Sequence, residues 1–313
     1  RGLGDVYKRQ DITFLYFFML SYCSDEEENM YYGALEAGGT KMVCAIGDEN
    51  KNIIDRISIP TDTPDQSVPV MIDYFKKHNI SALGIGTFGP ANVNQNSPSY
   101  GTILKSPKKA WEGFNFYKTF SEALKRLVVV DTDVNAAAWG EFLFGALKGL
   151  HSGMYLTIGT GIGGGVIADG HLIHGMMHPE TGHILIPRRY GDDTPCSCRF
   201  HQNCAEGLAA GPMLERRTGM KGKDIPADSP VWDLEAYYIA EALVNYTMCY
   251  SVERIVLGGG VMSNEFLFPM IRKYYTELLS GYIDMPQVKD PDTYIVPAKL
   301  EGNQGIIGAM NLF

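Results

Sequence analysis

Basic excess is the first thing missing from this chain: 27 Lys and Arg face 36 Asp and Glu, for a formal net charge of -9. A nucleic-acid binder needs a concentrated basic field to neutralise phosphates, so that class is set aside. Nucleotide binding stays open, because local loops and Mg²⁺ govern it. Long hydrophobic runs are missing too. The stretch ITFLYFFML covers only residues 12–20, far short of the roughly 20 residues that cross a bilayer. No membrane partner is expected. Cysteine is scarce, with six at positions 23, 44, 196, 198, 204 and 249. None forms a C-x-x-C pair, which argues against redox chemistry, and their distribution does not suit a disulfide framework. A reducing cytoplasm is the expected setting. The phosphate-loop signature G-x-x-x-x-G-K-[ST] is also absent.

What is present suits a globular α/β protein. With 313 residues and 45% apolar content, the chain can bury substantial cores, and its length fits two domains. Residues 1–29 read as a non-native or disordered leader, since no Met precedes Met19 and no small-residue cleavage pattern follows the apolar stretch. From Met30, YYGALEAGG and KMVCAIG read as strands joined by a turn at Gly38 and Gly39. NIIDRISIP extends the strand pattern, VPVMIDYFKKH and FNFYKTFSEAL read as helices, and ALGIGTFG and LVVVDTD as strands. A second strand–glycine turn–strand opening, MYLTIGTG and GGGVIADG, precedes the helical WDLEAYYIAEALVNYTMCY, the strand RIVLGGG and the helix EFLFPMIRKYYTELL. Two related α/β halves are expected, residues 30–134 and 135–313, with the final helix free to cross back to the first. Ligands in such arrangements favour the cleft at strand carboxyl ends.

Three polar features carry chemistry. EAGGTK (36–41) and TIGTGIGGG (157–165) offer backbone N–H groups for phosphate oxygens, helped by the Thr40 and Thr160 hydroxyls and the Lys41 cation. Ordinary hairpins explain either segment in isolation. Although 159–164 satisfies G-x-G-x-x-G, a second strand follows where a dinucleotide fold needs a helix. Gly258, Gly259 and Gly260 follow an apolar run and could admit an adenine or ribose. Between the two turns lies DTDVNAAAWGE (131–141). Asp133, next to the helix start, is the stronger candidate for a base; Asp131 could orient it or support the turn. Asn135 could bind a substrate hydroxyl or cap the helix. Glu180, His183 and Glu206 could hold sugar hydroxyls, or be solvated or structural.

CSCRFHQNC (196–204) contains C-x-x-H-x-x-C at Cys198, His201 and Cys204. Thiolates and imidazole suit tetrahedral Zn²⁺. Either His183 or Cys196 could be the fourth ligand; His171, His174 and His178 are candidates only by proximity.

Taken together, EAGGTKMVCAIG, IGTFGP, TDVNAAAWGEF, YLTIGTGIGGG, HPETGHI, CSCRFHQNCAEGLAAGP and IVLGGGV resemble the bacterial fructokinases of the ROK family over nearly all of residues 30–313. This is a sugar-kinase group with the actin-like ATPase (ribonuclease H-like) fold. The resemblance implies transfer of phosphate from ATP to D-fructose, with Mg²⁺. It implies Asp133 as the catalytic base. Gly38, Gly39, Thr40, Lys41, Thr160, Gly161, Gly211, Pro212, Gly259 and Gly260 would be nucleotide contacts. Asn135, Glu180, His183 and Glu206 would form the sugar side. It favours His183, Cys198, His201 and Cys204 as zinc ligands, and it implies a homodimer. Two departures from the wider family stand out. Glu36 replaces a frequent Asp, and C-x-x-H-x-x-C replaces C-x-C-G-x-x-G-C. Both favour fructose over glucose or N-acetylmannosamine, with mannose and glucose as alternative acceptors. A noncatalytic sugar sensor is disfavoured, since no winged-helix sequence is evident.

Overall fold

The computed structural model describes residues 30–313. The leader expected over residues 1–29, with its apolar stretch and Cys23, lies outside them. β1 (Tyr32–Ala37), β2 (Lys41–Gly47) and β3 (Ile53–Pro60) form an antiparallel meander, and α1 (Pro64–Lys77) follows. That helix begins before the apolar period does, because Pro64 suits its first turn after the extended Thr63. β4 (Ala82–Thr87), α2 (Phe116–Leu124), β5 (Leu127–Thr132) and α3 (Asp133–Phe144) come next. The first sheet has the order β3-β2-β1-β4-β5, with β4 and β5 added parallel to β1.

The second half begins with β6 (Gly153–Ile158), β7 (Ile162–Ala168) and the short β8 (His171–Leu172). The helices α4 (Ala205–Ala209), α5 (Gly211–Thr218) and α6 (Val231–Tyr250) follow. β9 (Ile255–Gly258), α7 (Leu267–Leu279), β10 (Ile295–Pro297) and α8 (Gln304–Met310) complete the chain. The second sheet, β10-β9-β6-β7-β8, repeats the first in order and strand direction. Both sheets belong to one compact unit, Tyr31–Phe313. Among the described residues no helix is long and apolar enough to cross a membrane.

α3 is shared between the sheets. Ala136 packs with Ala34, Val43, Ala45 and Ile306 beside the first sheet, whereas Ala137 and Ala138 pack with Tyr155, Ile167 and Val256 of the second. Small side chains let α8 close on α3 at backbone distance. A Cβ at Gly308 would lie 1.6 Å from the Ala136 carbonyl oxygen, and one at Gly140 would lie 2.3 Å from that of Gln304. Glu141, fully buried, accepts from the amides of Ala146, Lys299 and Leu300 and so ties the entry of α8 to α3. Gly308→Ala is therefore expected to destabilise by about 3 kcal/mol, since backbone overlap outweighs the gain of about 1 kcal/mol in helix propensity. Equal or higher melting temperature in that variant would overturn the packing account.

Candidate active site and metal centre

β5 delivers two carboxylates to one turn and gives them different surroundings. Thr132 Oγ1 accepts from the Asn135 amide at 3.1 Å, so the helix cap is Thr132, not Asn135. Asp131 turns backwards. Its Oδ1 accepts from the Thr132 amide and from Asn135 Nδ2, each at 2.7 Å, and its Oδ2 lies 2.7 Å from His174 Nε2. This contact raises the His174 pKa. Asn135 is fully buried and reaches the site through Asp131; its Oδ1 has no partner among the described residues.

Asp133 faces the other way, with its Oδ1 accepting from the Val134 amide at 2.9 Å. Loss of hydration, then the charge of Glu36, pushes its pKa up to about 7; the turn amides oppose this and Glu180 adds to it. A carboxylate poised there is suited to take a proton near neutral pH. Glu36 itself is raised by burial and lowered by Lys41 and Arg56. Its carboxylate rests where a side chain at Gly305 would stand, 2.7 Å from that Cβ position.

Glu180, His183 and Glu206 come together beside this turn. Burial, then Glu206, pushes Glu180 up to about 7. Glu206 Oε2 accepts from the Ile162 amide at 3.1 Å, and its Oε1 lies 3.8 Å from His183 Nε2. His178, a zinc candidate only by proximity, stands outside the four-ligand cluster and is buried. Its Nε2 accepts from the Ala91 amide at 3.2 Å, which leaves the ring neutral with its proton on Nδ1. Burial lowers its pKa in the same sense. The 3.7 Å approach of Nε2 to Glu180 Oε1 is therefore not an ion pair.

The first glycine turn is held from behind. Gly38 donates to the Lys41 carbonyl, Thr61 Oγ1 donates to the Gly38 carbonyl at 2.7 Å, and the Thr61 amide donates to the Thr40 carbonyl. The Gly39 and Thr40 amides have no acceptor among the described residues, so two donors stand ready for an anion. At the second turn the Gly159 amide donates to Gly161, and the Gly211 amide donates to the Gly159 carbonyl at 2.7 Å. Gly211 opens α5, with Pro212 in its first turn. Gly259 has φ +90°, and a Cβ there would meet the Ile158 backbone at 2.5 Å. The Gly260 amide lies 3.7 Å from the Cβ position of Gly159. Thr160, Gly161, Gly211, Pro212, Gly259 and Gly260 thus share one region. The glycines after Gly161 serve packing instead. A Cβ at Gly165 would meet Ala138 Cβ and the Val134 carbonyl at 2.6 Å, so they let the start of α3 lie against β7.

One ligand atom each from His183, Cys198, His201 and Cys204 falls within 4.8 Å of the others. Cys198 Sγ lies 3.9 Å from His183 Nδ1 and 3.5 Å from His201 Nδ1. Those separations match the edge of about 3.6 Å expected for two Cys and two His around tetrahedral Zn²⁺. The amides of Phe200 and Gly207 donate to Cys198 and Cys204 Sγ, which suits thiolate charge. Without a cation, burial pushes the Cys204 thiol up to about 12 and Cys198 adds to the shift. The donor set fits zinc. Cys196 stands outside the cluster, its Sγ packed over Gly207. His171 meets the Asp169 carbonyl, His174 meets Asp131 and His178 meets Ala91.

Known proteins resemble this chain in sequence and in fold. The fructokinase of Pediococcus pentosaceus is 47% identical over 283 residues, covering 90% of this chain and 97% of that protein. The ROK hexokinase of Thermus thermophilus superposes with a TM-score of 0.73 at 26% identity, covering 90% of this chain and 97% of that one. A ROK glucokinase from Streptomyces griseus, solved with glucose and AMPPNP, gives a TM-score of 0.70 at 25% identity over 91% and 98% of the two chains. These likenesses bear out the actin-like sugar-kinase fold implied by the motifs. A sequence model described as the ROK family matches residues 32–313, from the first strand through both glycine turns and the metal loop, and the chain belongs to that family.

Proposed function

We propose that this protein transfers the γ-phosphoryl group of ATP to D-fructose, giving ADP and fructose 6-phosphate. The observation that carries the reading is Asp133, a carboxylate at the start of α3 that burial and the charges of Glu36 and Glu180 push up to about 7. Fructokinases of Pediococcus pentosaceus and Streptococcus mutans, 47% and 43% identical, support fructose as acceptor. Residues 30–134 and 135–313 are the two lobes of the proposal, with α8 returning to the first, and a homodimer is its assembly.

In this reading Glu180, His183 and Glu206 orient the sugar, and Asn135 steadies the turn through Asp131. The C6 hydroxyl oxygen attacks the γ-phosphorus, the bond to the β–γ bridging oxygen breaks, and Asp133 accepts the hydroxyl proton as transfer proceeds. Gly38, Gly39, Thr40 and Lys41 cradle the polyphosphate; Thr160, Gly161, Gly211, Pro212, Gly259 and Gly260 receive the rest of the nucleotide. Mg²⁺, when bound, would offset charge on the polyphosphate oxygens. His183, Cys198, His201 and Cys204 would hold zinc, and its binding would fix the loop that presents Glu180 and Glu206.

A panel of fructose, mannose and glucose with ATP and Mg²⁺ tests the reading. Fructose is expected to give the highest kcat/KM, by about tenfold or more. Turnover of glucose or mannose in preference to fructose would overturn the acceptor, and no turnover on any of the three would overturn the activity.

A further inference from the structure

The site is crowded with negative charge before any phosphate arrives. Glu36 and Glu180 both act on Asp133, and Glu206 acts on Glu180. A phosphoryl group in transit spreads further charge over its equatorial oxygens, so cations must face it. Arg56 acts on Glu36, with one guanidinium nitrogen donating to Asn303 Oδ1 at 2.9 Å. Lys41 follows the glycine turn directly. A third cation comes from a separate segment.

Lys108 lies over the glycine turn: its Cε is 3.7 Å from the Cβ position built on Gly39. It is half-buried, whereas Lys105 and Lys109 on either side are exposed. Its backbone is pinned at both ends. The Lys108 amide donates to Ser106 Oγ at 3.2 Å, and the Lys108 carbonyl accepts from the Trp111 amide at 2.9 Å. Ser106 is fully buried, donates to the Gly89 carbonyl and accepts at its Oγ; its amide is taken by Glu112. Trp111 is buried against Phe88, Phe114 and Phe116, and its Nε1 donates to the Asp62 carbonyl at 2.6 Å. Thr61, next to Asp62, is the residue that holds Gly38 and Thr40. The lysine loop and the glycine turn are therefore braced through one segment. The Lys108 ammonium alone is uncommitted, with no hydrogen bond or ion pair among the described residues. A rigidly mounted lysine with a free head beside two free amides is built to meet an anion.

We propose that Lys108 is a further catalytic residue, donating from Nζ to the non-bridging oxygens of the phosphoryl group as it passes over Gly39 and Thr40. This rests on the phosphoryl-transfer reading above. Lys108 adds positive charge at the glycine turn, where it meets the charge spread over the phosphoryl group in transit. It would act on the γ-phosphoryl group and little on the other two.

Lys108→Met and Lys108→Arg test this through turnover and through binding of ADP and AMPPNP. Lys108→Met is expected to lower kcat on the order of 100-fold, with KM for fructose within threefold and an unchanged melting temperature. Lys108→Arg should recover at least tenfold of that loss. AMPPNP should bind at least tenfold more weakly to Lys108→Met, with ADP affinity unchanged. Equal loss for both nucleotides, or kcat within threefold of the parent, would overturn the assignment. If the parent protein phosphorylates no sugar, the activity reading fails and the two nucleotides alone decide. Selective loss of AMPPNP then supports the Lys108 contact, and unchanged AMPPNP affinity or no nucleotide binding overturns it.

Discussion

Asp133→Asn is expected to lower kcat/KM for fructose phosphorylation by about 10³-fold, with ATP binding and zinc content retained. The side chain keeps its shape and loses its basicity, which separates proton transfer from positioning. The same substitution should raise thermal stability. Asp133 is pushed up to about 7 in the folded protein, against roughly 4 in an unfolded chain. Between those values the folded state holds the proton more tightly, so stability falls as pH rises through the window. The amide has no charge to desolvate and escapes that loss. The variant should therefore melt a few degrees above the parent at pH 8, and the gap should narrow toward pH 4. In the parent, kcat/KM should fall as pH drops below about 7. Glu180 is pushed up to about 7 as well, so the apparent value belongs to the interacting carboxylates together. A folded variant with activity within tenfold of the parent, or one that melts lower at pH 8, would sink the base assignment.

The distinction between Asp131 and Asp133 shows where sequence reading stops. Both follow an apolar strand, two positions apart; the helix start favours Asp133, but strand periodicity alone does not say what surrounds either carboxylate. They are separated by His174 and Asn135, which close on Asp131, whereas Asp133 lies beside the charges of Glu36 and Glu180. The His174 contact spans 43 residues, beyond the reach of any local pattern. Asn135 was open to either a capping or a binding role, and Thr132 takes the cap because its hydroxyl reaches the third residue on. His178 is similar: nothing nearby in sequence marks it as a buried acceptor for the Ala91 amide. Lys108 could not be singled out either, because it matters through its height over Gly39.

The larger fold was more legible. Strand–glycine turn–strand openings are local, strongly patterned and repeated, and both appear where periodicity places them. β8 and β10, with two and three residues, are too short to carry a period. They become strands by pairing with β7 and β9, so the matched order of the two sheets emerges only in three dimensions. α4 has five residues and follows the metal loop, leaving no amphipathic repeat to read. The GGG run misleads for a physical reason. Glycine is needed both where backbone meets phosphate and where backbone meets a helix, and composition does not distinguish the two.

Cys204→Ser is expected to remove zinc, to lower the melting temperature by about 5 °C, and to impair sugar use more than nucleotide use. The thermal figure corresponds to a loss of about 3 kcal/mol for a chain of this size. The substitution opens a buried corner of the cluster: Cys204 is fully buried, and its Sγ accepts from the Gly207 amide at the start of α4. Two neighbours of that corner reach the acceptor side. His183 presents Nδ1 to Cys198 and Nε2 to Glu206, so metal on one nitrogen orients the other toward the carboxylate. Glu206 also stands two residues from Cys204 and takes the Ile162 amide beside the second glycine turn. Loss of metal should free both groups, raising KM for fructose by about tenfold while KM for ATP moves less. Cys196→Ser is the matched control. Its sulfur packs over Gly207 outside the four-ligand cluster, so zinc should remain near one equivalent per chain. One zinc retained by Cys204→Ser, or zinc lost from Cys196→Ser, would show that the ligand set is wrong. Equal rises in both KM values would break the link from metal to sugar and leave zinc with stability alone.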